Sequence, residues 1–225
     1  GATGLVGSEI IKVLEEKNLK EIKKVLFVAS KKSVGKKIKY KQKSKKIISI
    51  KEAIEEAPKF ALFSAGSKTA LKYAKEFNKK GTIVIDNSSA FRMDKKIKLI
   101  VPEINGDKIL KTEKIIANPN CSTIQLAMSI NKIHNKLGIK RLIVSTYQAV
   151  TGTGRLAIKQ LESEEKNQKP KTKTYKNKIH RNIIPKCDIF ENDGYTKEEK
   201  KIINETNKIL GSKIKITATA VRVPT

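Results

Sequence analysis

The sequence predicts an α/β domain followed by an α+β domain. In the first half, apolar runs of about five residues alternate with helical patterns, which is typical of a parallel sheet covered on both faces. After residue 118 the pattern changes to longer strands that alternate between apolar and polar residues. The chain of 225 residues is 38% hydrophobic, enough for two cores. We therefore expect domains at 1–118 and 119–225.

The first domain begins with a helical apolar spacing from Leu5 to Lys17. Residues 36–46 are polar and rich in lysine, which indicates an exposed connection or an edge hairpin. The other predicted elements are strands at 25–29, 60–65, 82–86, 99–101 and 115–117, and a helix at 67–80. Helices between short buried strands predict a doubly wound sheet.

The second domain opens with Pro119 and Asn120 ahead of a helical pattern. Proline is excluded from a helix interior and asparagine is a good N-cap, so the helix should begin at Cys121. The remaining predicted elements are strands at 139–150 and 213–223, helices at 155–166 and 196–210, and a lysine-rich loop at 167–178. The alternation in 139–150 favours an antiparallel strand, and the second sheet is expected to be mixed.

Cys121 is a candidate nucleophile because it occupies the first turn of the predicted helix. Thiolate is the nucleophilic form of cysteine, and the N-terminus of a helix stabilises an anion. A free cysteine that simply fills a small buried site is the alternative. The other cysteine, Cys187, is distant in sequence and forms no CxxC motif. We predict no disulfide, no metal site and a reducing, cytoplasmic setting.

The formal net charge of +27 comes from 44 lysines and only five arginines. Arginine is preferred for contacts to phosphates and base edges, and the 11 Phe and Tyr residues are not interleaved with basic ones. We interpret the charge as a lysine-biased surface with weak, salt-sensitive affinity for polyanions, and expect no specific nucleic-acid partner. No apolar run approaches the ~18 residues of a membrane span.

Three glycines, Gly1, Gly4 and Gly7, immediately precede the first helix. Such spacing allows a tight turn and a close approach of the backbone to the pyrophosphate of a dinucleotide, as in a Rossmann-type domain. After the next strand, residues 30–33 read Ser-Lys-Lys-Ser, where an NAD site would usually have an acidic residue. Lysine and hydroxyl groups favour the 2′-phosphate of NADP, although a basic surface turn would look the same.

Two further side chains follow predicted strands. Arg92 closes a polar segment after the 82–86 strand and is a candidate anion ligand. Gln148 lies near the end of the long strand, just before Thr151-Gly152-Thr153-Gly154. An amide there can orient a carbonyl, and the glycines let a ring approach the backbone.

Taken in order, these segments resemble the aspartate-semialdehyde dehydrogenase family over essentially all 225 residues. The matching runs include GATGLVG, ASKKSVGK, LFSAGS, VIDNSSAFRM, VPEIN, ANPNCSTIQLA, VSTYQAVTGTG, NIIPKCDIFENDGYTKEE, NETNKILG and TATAVRVP. The NPNCST run separates the chain from N-acetyl-glutamyl-phosphate reductases, which have glycine before the cysteine.

The resemblance implies interconversion of L-aspartyl 4-phosphate and L-aspartate 4-semialdehyde plus phosphate with NADP, in lysine, threonine and methionine biosynthesis. Cys121 would form a thioester that Gln148 orients. It further implies substrate ligands Arg222 and Glu198, phosphate ligands Arg92, Lys201 and Asn120, and cofactor contacts Thr3, Gly4, Leu5, Val6, Lys32, Ser33, Thr151 and Gly152. A homodimer or homotetramer is expected from the same resemblance.

The chain departs from the family pattern in three places. Family members have a strand before GATG, and they continue past VRVP to a Gly-His-Ser segment whose histidine is the general acid/base. We therefore expect these residues to be part of a longer enzyme and to have little turnover alone. Lys32 stands where relatives often have arginine. A related acyl-phosphate or acyl-CoA reductase, an inactive cofactor-binding remnant and a basic binding module are the alternatives.

Overall fold

The computed structural model describes all residues, Gly1–Thr225, and divides into two compact units, Gly1–Pro119 and Asn120–Thr225. The division falls one residue beyond the boundary expected from the sequence. That the first half binds NADP and the second half carries the catalytic residues stays a prediction.

The first unit alternates helices with short strands. Its helices are α1 (Leu5–Lys17), α2 (Ile50–Glu55), α3 (Ser67–Lys79) and α4 (Pro102–Asn105). Its strands are β1 (Phe27–Val28), β2 (Lys37–Tyr40), β3 (Lys43–Ile48), β4 (Phe60–Phe63), β5 (Ile83–Asp86), β6 (Lys98–Leu99) and β7 (Ile115–Ala117). The alternation confirms the predicted α/β class.

Two sheets organise this unit. The larger has the order β4-β5-β7-β6 and is parallel throughout. The smaller has the order β1-β3-β2, with β1 parallel to β3 and β2 forming an antiparallel hairpin with β3. The hairpin confirms the prediction for residues 36–46. Lys37 lies directly opposite Lys46 in its register, so like charges face each other at an exposed edge.

Several strands are shorter than the sequence predicted. Residues 25–29 contribute only Phe27 and Val28 to a strand. Residues 99–101 contribute only Leu99, because Val101 is the N-cap of α4 and Pro102 is its first residue. Proline at the first helical position is favourable, which explains the early stop. The short helix α2 was not predicted, although Ser49 and Glu52 form a capping box at its start.

The second unit contains α5 (Cys121–Leu137), β8 (Arg141–Ala149), α6 (Arg155–Glu165), α7 (Lys197–Leu210) and β9 (Lys215–Val223). Helix α7 begins with a capping box of Thr196 and Glu199 and ends at Gly211 in the left-handed conformation, which agrees with the helix predicted at 196–210. The loop between α6 and α7 is held partly by a small core that contains Leu161 and Ile179.

The prediction of an antiparallel strand at 139–150 is wrong, because β8 pairs with β9 in parallel over nine residues. Two helices lie between these strands in sequence, which is the long connection that a parallel pair requires. The alternation in β8 arises instead from one exposed sheet face. Ile184 bridges Arg222 in the antiparallel sense, so the pairing of the unit as a whole is mixed. No helix combines the length and apolar content needed to cross a membrane.

Candidate active site

Cys121 is the first residue of α5, and its side chain is exposed. The preceding residue, Asn120, is the N-cap, and its Oδ1 accepts hydrogen bonds from the backbone N–H groups of Ser122 (3.0 Å) and Thr123 (3.3 Å). The predicted start of the helix is thereby confirmed. An exposed thiol at a helix N-terminus is placed for attack on an electrophile.

Two carboxylates of α7 hold Asn120 in place. The Nδ2 of Asn120 donates to Glu198 Oε1 at 2.9 Å, and its backbone N–H donates to Glu205 Oε2 at 2.7 Å. All three residues are buried. The start of the cysteine helix is therefore fixed by a second helix of the same unit.

Lys201 extends this network. Its Nζ donates to Glu198 Oε2 at 3.1 Å and to Asp188 Oδ2 at 3.0 Å. Burial alone would lower the pKa of Lys201, but these two carboxylates raise it above its ordinary value. The side chain consequently carries an ammonium group throughout the neutral range. The structure thus joins four predicted site residues, Asn120, Cys121, Glu198 and Lys201, through adjacent positions and hydrogen bonds.

Arg222 and Gln148 lie side by side on the parallel strands β9 and β8. Arg222 is buried, and its Nη1 donates to the backbone oxygen of Ala149 at 2.7 Å. Its Nε is buried without a hydrogen-bond partner. The amide of Gln148 donates to Thr146 Oγ1 at 3.2 Å. A guanidinium group held from one side by a carbonyl is oriented for an acidic ligand.

The turn after β8 brings two predicted cofactor contacts to Arg222. Thr151 and Gly152 lie in a short 3₁₀ turn and are exposed. A Cβ added at Gly152 would come within 3.1 Å of Arg222 Nη1. Glycine at this position therefore leaves room for the guanidinium group and for a molecule above it.

Cys187 is buried, in contrast to Cys121. Burial raises the pKa of its thiol to about 11, partly offset by the charge of Arg222 and reinforced by Glu198 and Glu199. Both cysteines are free thiols. Cys187 is therefore close enough to Arg222 and Glu198 for their charges to affect its pKa, but its buried, protonated thiol is not available as a nucleophile.

In the first unit, the Gly1–Gly4 turn lies between the carboxyl ends of β1 and β4. Ala2 N donates to Val28 O at 2.9 Å, and a Cβ added at Gly1 would come within 2.6 Å of Ser64 O. A Cβ at Gly7 would come within 2.1 Å of Gly1 O. The turn therefore requires glycine at both ends of the motif.

Helix α1 then starts at Leu5 with Gly4 as an N-cap that offers no side-chain hydrogen bond, and its first turn has no acidic residue. Thr3 and Val6 are exposed beside it. Backbone N–H groups at such a start can bind a phosphate. The predicted cofactor contacts Thr3 to Val6 thus lie together at one turn.

Lys32 and Ser33 lie in a 3₁₀ turn, Lys31–Ser33, that begins three residues after the end of β1. Lys32 is exposed and Ser33 partly exposed. No acidic side chain occurs in this turn, which suits a phosphate better than a pair of ribose hydroxyls.

Arg92 is buried at the edge of the parallel sheet of the first unit. Its Nε donates to Asn118 O and its Nη2 to Asn87 O, each at 2.9 Å. These carbonyls follow β7 and β5, and a polar segment was predicted after the second of these strands. The guanidinium group is fixed in orientation before any ligand binds.

Sequence reasoning missed Asp188 and Glu205. Asp188 lies in an irregular segment and has no local pattern that would reveal its contact with Lys201. Glu205 carries a readable signal, because it follows Glu198 by seven residues on the same face of α7. Of the two histidines, His134 Nδ1 accepts from the backbone of Ile139 near the end of α5, which agrees with a packing role.

Two family models match the chain. The model described as "Semialdehyde dehydrogenase, NAD binding domain" covers residues 1–112, and "Semialdehyde dehydrogenase, dimerisation domain" covers residues 130–225. Together with the parallel Rossmann-type sheet, these matches define an oxidoreductase of the semialdehyde dehydrogenase class.

Individual relatives narrow the class. The aspartate-semialdehyde dehydrogenase of Aquifex aeolicus is 46% identical over 100% of this chain and 68% of its own length, and that of Bacillus subtilis is 41% identical over the same shares. The crystal structure of aspartate semialdehyde dehydrogenase II from Vibrio cholerae has a TM-score of 0.93 at 38% identity, covering 100% of this chain and 69% of that one. This chain belongs to the aspartate-semialdehyde dehydrogenase family.

Proposed function

We propose that the protein converts L-aspartyl 4-phosphate into L-aspartate 4-semialdehyde and phosphate with NADPH, and catalyses the reverse reaction, through a thioester on Cys121. The observation that carries the proposal is the exposed Cys121 at the start of α5, anchored through Asn120 to buried Glu198, which also binds the partly exposed Lys201. The aspartate semialdehyde dehydrogenase II of Vibrio cholerae has been crystallised in complex with ASA.

In the forward direction, Sγ of Cys121 attacks the acyl carbon. The new C–S bond replaces the bond from carbon to the phosphate oxygen, and phosphate leaves with the electron pair. When bound, NADPH supplies the hydride that reduces the acyl group. The aldehyde is released as the C–S bond breaks, and the sulfur leaves as the thiolate that starts the next cycle.

The other residues of the second unit bind and orient the substrate in this proposal. Arg222 grips its carboxylate, because the strand backbone already fixes the guanidinium group. Glu198 accepts from the substrate amine, and Lys201 binds the phosphate, which its protonated state permits. Gln148 orients the thioester carbonyl. In the first unit, Arg92 provides a further phosphate ligand.

The residues of the first unit fit a dinucleotide. A Cβ at Gly7 would overlap Gly1 O, so the turn before α1 is tightly closed. Such a turn supports the proposal that the start of α1 binds a pyrophosphate. Lys32 and Ser33 would hold the 2′-phosphate, which favours NADP over NAD. Thr151 and Gly152 of the second unit are proposed as further contacts. A Candida albicans dehydrogenase of the same fold was crystallised with NADP, at 22% identity and a TM-score of 0.72.

The test is phosphate-dependent formation of NADPH from aspartate semialdehyde by the complete protein that contains these residues. Cys121→Ala should reduce kcat to the background rate, since no thioester can form. Cys187→Ala is the matched control, because it removes the other thiol by the same substitution, and it should keep most of the activity. NADP should give a higher kcat/KM than NAD.

Full activity in Cys121→Ala would overturn the thioester mechanism. Reduction of an acyl-CoA, with no use of aspartyl phosphate, would instead assign the chain to a related reductase.

We further propose that the protein is a cytoplasmic enzyme of lysine, threonine and methionine biosynthesis and that it works as a homodimer. The match to a dimerisation domain and the free thiols support this setting. The exposed face of β8, where Ile143 is 68% and Tyr147 70% exposed, is the surface we assign to a second copy of the chain.

A further inference from the structure

The N-cap of α5 differs from the N-caps of α2 and α7. In α2 and α7 the third helical residue is a glutamate that accepts from the backbone N–H of the N-cap: Glu52 from Ser49 at 2.7 Å and Glu199 from Thr196 at 2.6 Å. In α5 the third helical residue is Thr123, and the first turn contains no acidic side chain. The N-cap N–H of α5 nevertheless has a carboxylate acceptor.

That acceptor comes from another helix. Glu205 of α7 accepts from Asn120 N at 2.7 Å, a contact between residues 85 positions apart. Glu205 is 1% exposed, so its carboxylate approaches the turn from the protein interior. Since buried N–H groups need a partner, Glu205 replaces the missing local glutamate.

The replacement keeps negative charge away from the exposed side of the turn. A glutamate in the first turn of α5 would lie next to Cys121, where it would oppose both a thiolate and an approaching phosphate group. Because Glu205 of α7 supplies the acceptor, the same hydrogen bond is made from the protein interior. Asn120 then has a partner for each of its four polar atoms, including its carbonyl oxygen, which accepts from Ile124.

We propose that Glu205 is a positioning residue for the Cys121 nucleophile, acting through the backbone N–H of Asn120. The proposal builds on the function given above, because it assigns a role in the same reaction. Because Glu205 is 1% exposed, its carboxylate is closed off from substrate and cofactor. It fixes the peptide that enters the helix, and with it the direction of the Cys121 side chain.

Four variants of the full chain test this role. Glu205→Ala removes the acceptor, Glu205→Gln keeps an acceptor oxygen without the charge, and Glu205→Asp shortens the reach by one methylene. Glu52→Ala is the matched control, since it removes the same kind of hydrogen bond from a helix that carries no nucleophile. Each variant is measured for kcat, for the KM of aspartate semialdehyde, and for amide hydrogen exchange across residues 120–124.

We expect Glu205→Ala to lower kcat about tenfold or more while KM changes less than about twofold, because a misplaced nucleophile slows chemistry rather than binding. Exchange of the 120–124 amides should accelerate about tenfold in the same variant. Glu205→Gln should stay within about threefold of wild type in both measurements, because the oxygen still accepts. Glu52→Ala should lower the melting temperature without changing kcat or this exchange.

The proposal is overturned if Glu205→Ala keeps the wild-type kcat, if Glu52→Ala loses as much, or if Gln and Ala at position 205 are equally damaging. Should the Ala variant not fold, Glu205→Asp decides by the same criteria, with an intermediate loss expected. If the complete wild-type protein shows no dehydrogenase activity, the proposed function fails separately. Hydrogen exchange then decides the role of Glu205: an unchanged rate overturns it and an accelerated rate supports it.

Discussion

Identical side chains differ in chemistry because of where the backbone places them. Cys121 is exposed at a helix start, whereas Cys187 is buried and has a pKa raised to about 11. The sequence distinguished these cysteines only through the Asn-Pro-Asn turn before Cys121. Nothing around Cys187 in the sequence reveals its burial or its proximity to Arg222 and Glu198, which come from distant segments.

Alkylation of the native protein should therefore be selective. At pH 8, iodoacetamide should modify Cys121 and leave Cys187 unmodified, because the latter thiol is shielded and almost entirely protonated at that pH. Mass spectrometry of tryptic peptides after timed labelling measures both sites.

Unfolding in urea is the control, since both cysteines should then react at similar rates. Comparable labelling of Cys121 and Cys187 in the native protein would contradict the burial that the structure assigns to Cys187.

At the scale of elements, α6 anchors the lysine-rich loop that follows it. Glu164 Oε2 accepts from the backbone N–H groups of Ile179 (2.8 Å) and His180 (2.9 Å), and Gln160 Oε1 accepts from those of Thr174 and Tyr175. Both anchoring side chains are buried. The loop was predicted only as polar, because its hydrogen-bond acceptors lie on a preceding helix.

Burial alone would raise the pKa of Glu164, but the hydrogen bonds from His180, Gln160 and Ile179 lower it below its ordinary value. The stabilisation is therefore complete above the unfolded-state pKa of about 4.3 and is lost as the pH falls through the lower folded-state value. Glu164→Gln should lower the free energy of unfolding at pH 7 by about 1–3 kcal/mol. The difference from wild type should shrink below about pH 4.

Urea denaturation of both proteins at pH 7 and at acidic pH measures this difference. Glu165→Gln is the matched control, because the neighbouring Glu165 is exposed. A destabilisation of equal size in the control, or one independent of pH, would refute the role of Glu164.

Element types were predictable where local chemistry decides them. The N-cap at Asn120 fixed the start of α5 in advance. The direction of β8 was not predictable in the same way, since an exposed sheet face produces the same alternation in parallel and antiparallel pairs. Strand lengths also depended on neighbours, as at Pro102.

At the scale of the whole molecule, the proposed dimer depends on the exposed apolar side chains of β8. Ile143→Glu places a charge at the centre of that face and should shift the protein to monomers, because an unpaired charge is costly in a buried interface. Sedimentation velocity at several protein concentrations measures the change.

Leu71→Glu is the matched control, as Leu71 is 58% exposed on α3 of the first unit. It should leave the association state unchanged. A dimer that persists in Ile143→Glu would assign the interface to another surface.

The class of the whole molecule was readable from the sequence, because glycine spacing, short buried strands and the cysteine turn each have local causes. The candidate site was readable only in part. Residues that we propose to contact a ligand stood out by type and position. Asp188 and Glu205, which bind Lys201 and the backbone of Asn120, become visible only through tertiary contacts.

The hydrogen bond from Asn120 to Glu205 also bears on the order in which the chain matures. Its partners are 85 residues apart, so it is a long-range contact whose formation requires α7 to have been synthesised and docked. Until then, Asn120 caps the first turn of α5, but its own backbone N–H lacks the carboxylate acceptor. The start of α5 that carries Cys121 therefore gains its full set of hydrogen bonds only after α7 has been synthesised and docked.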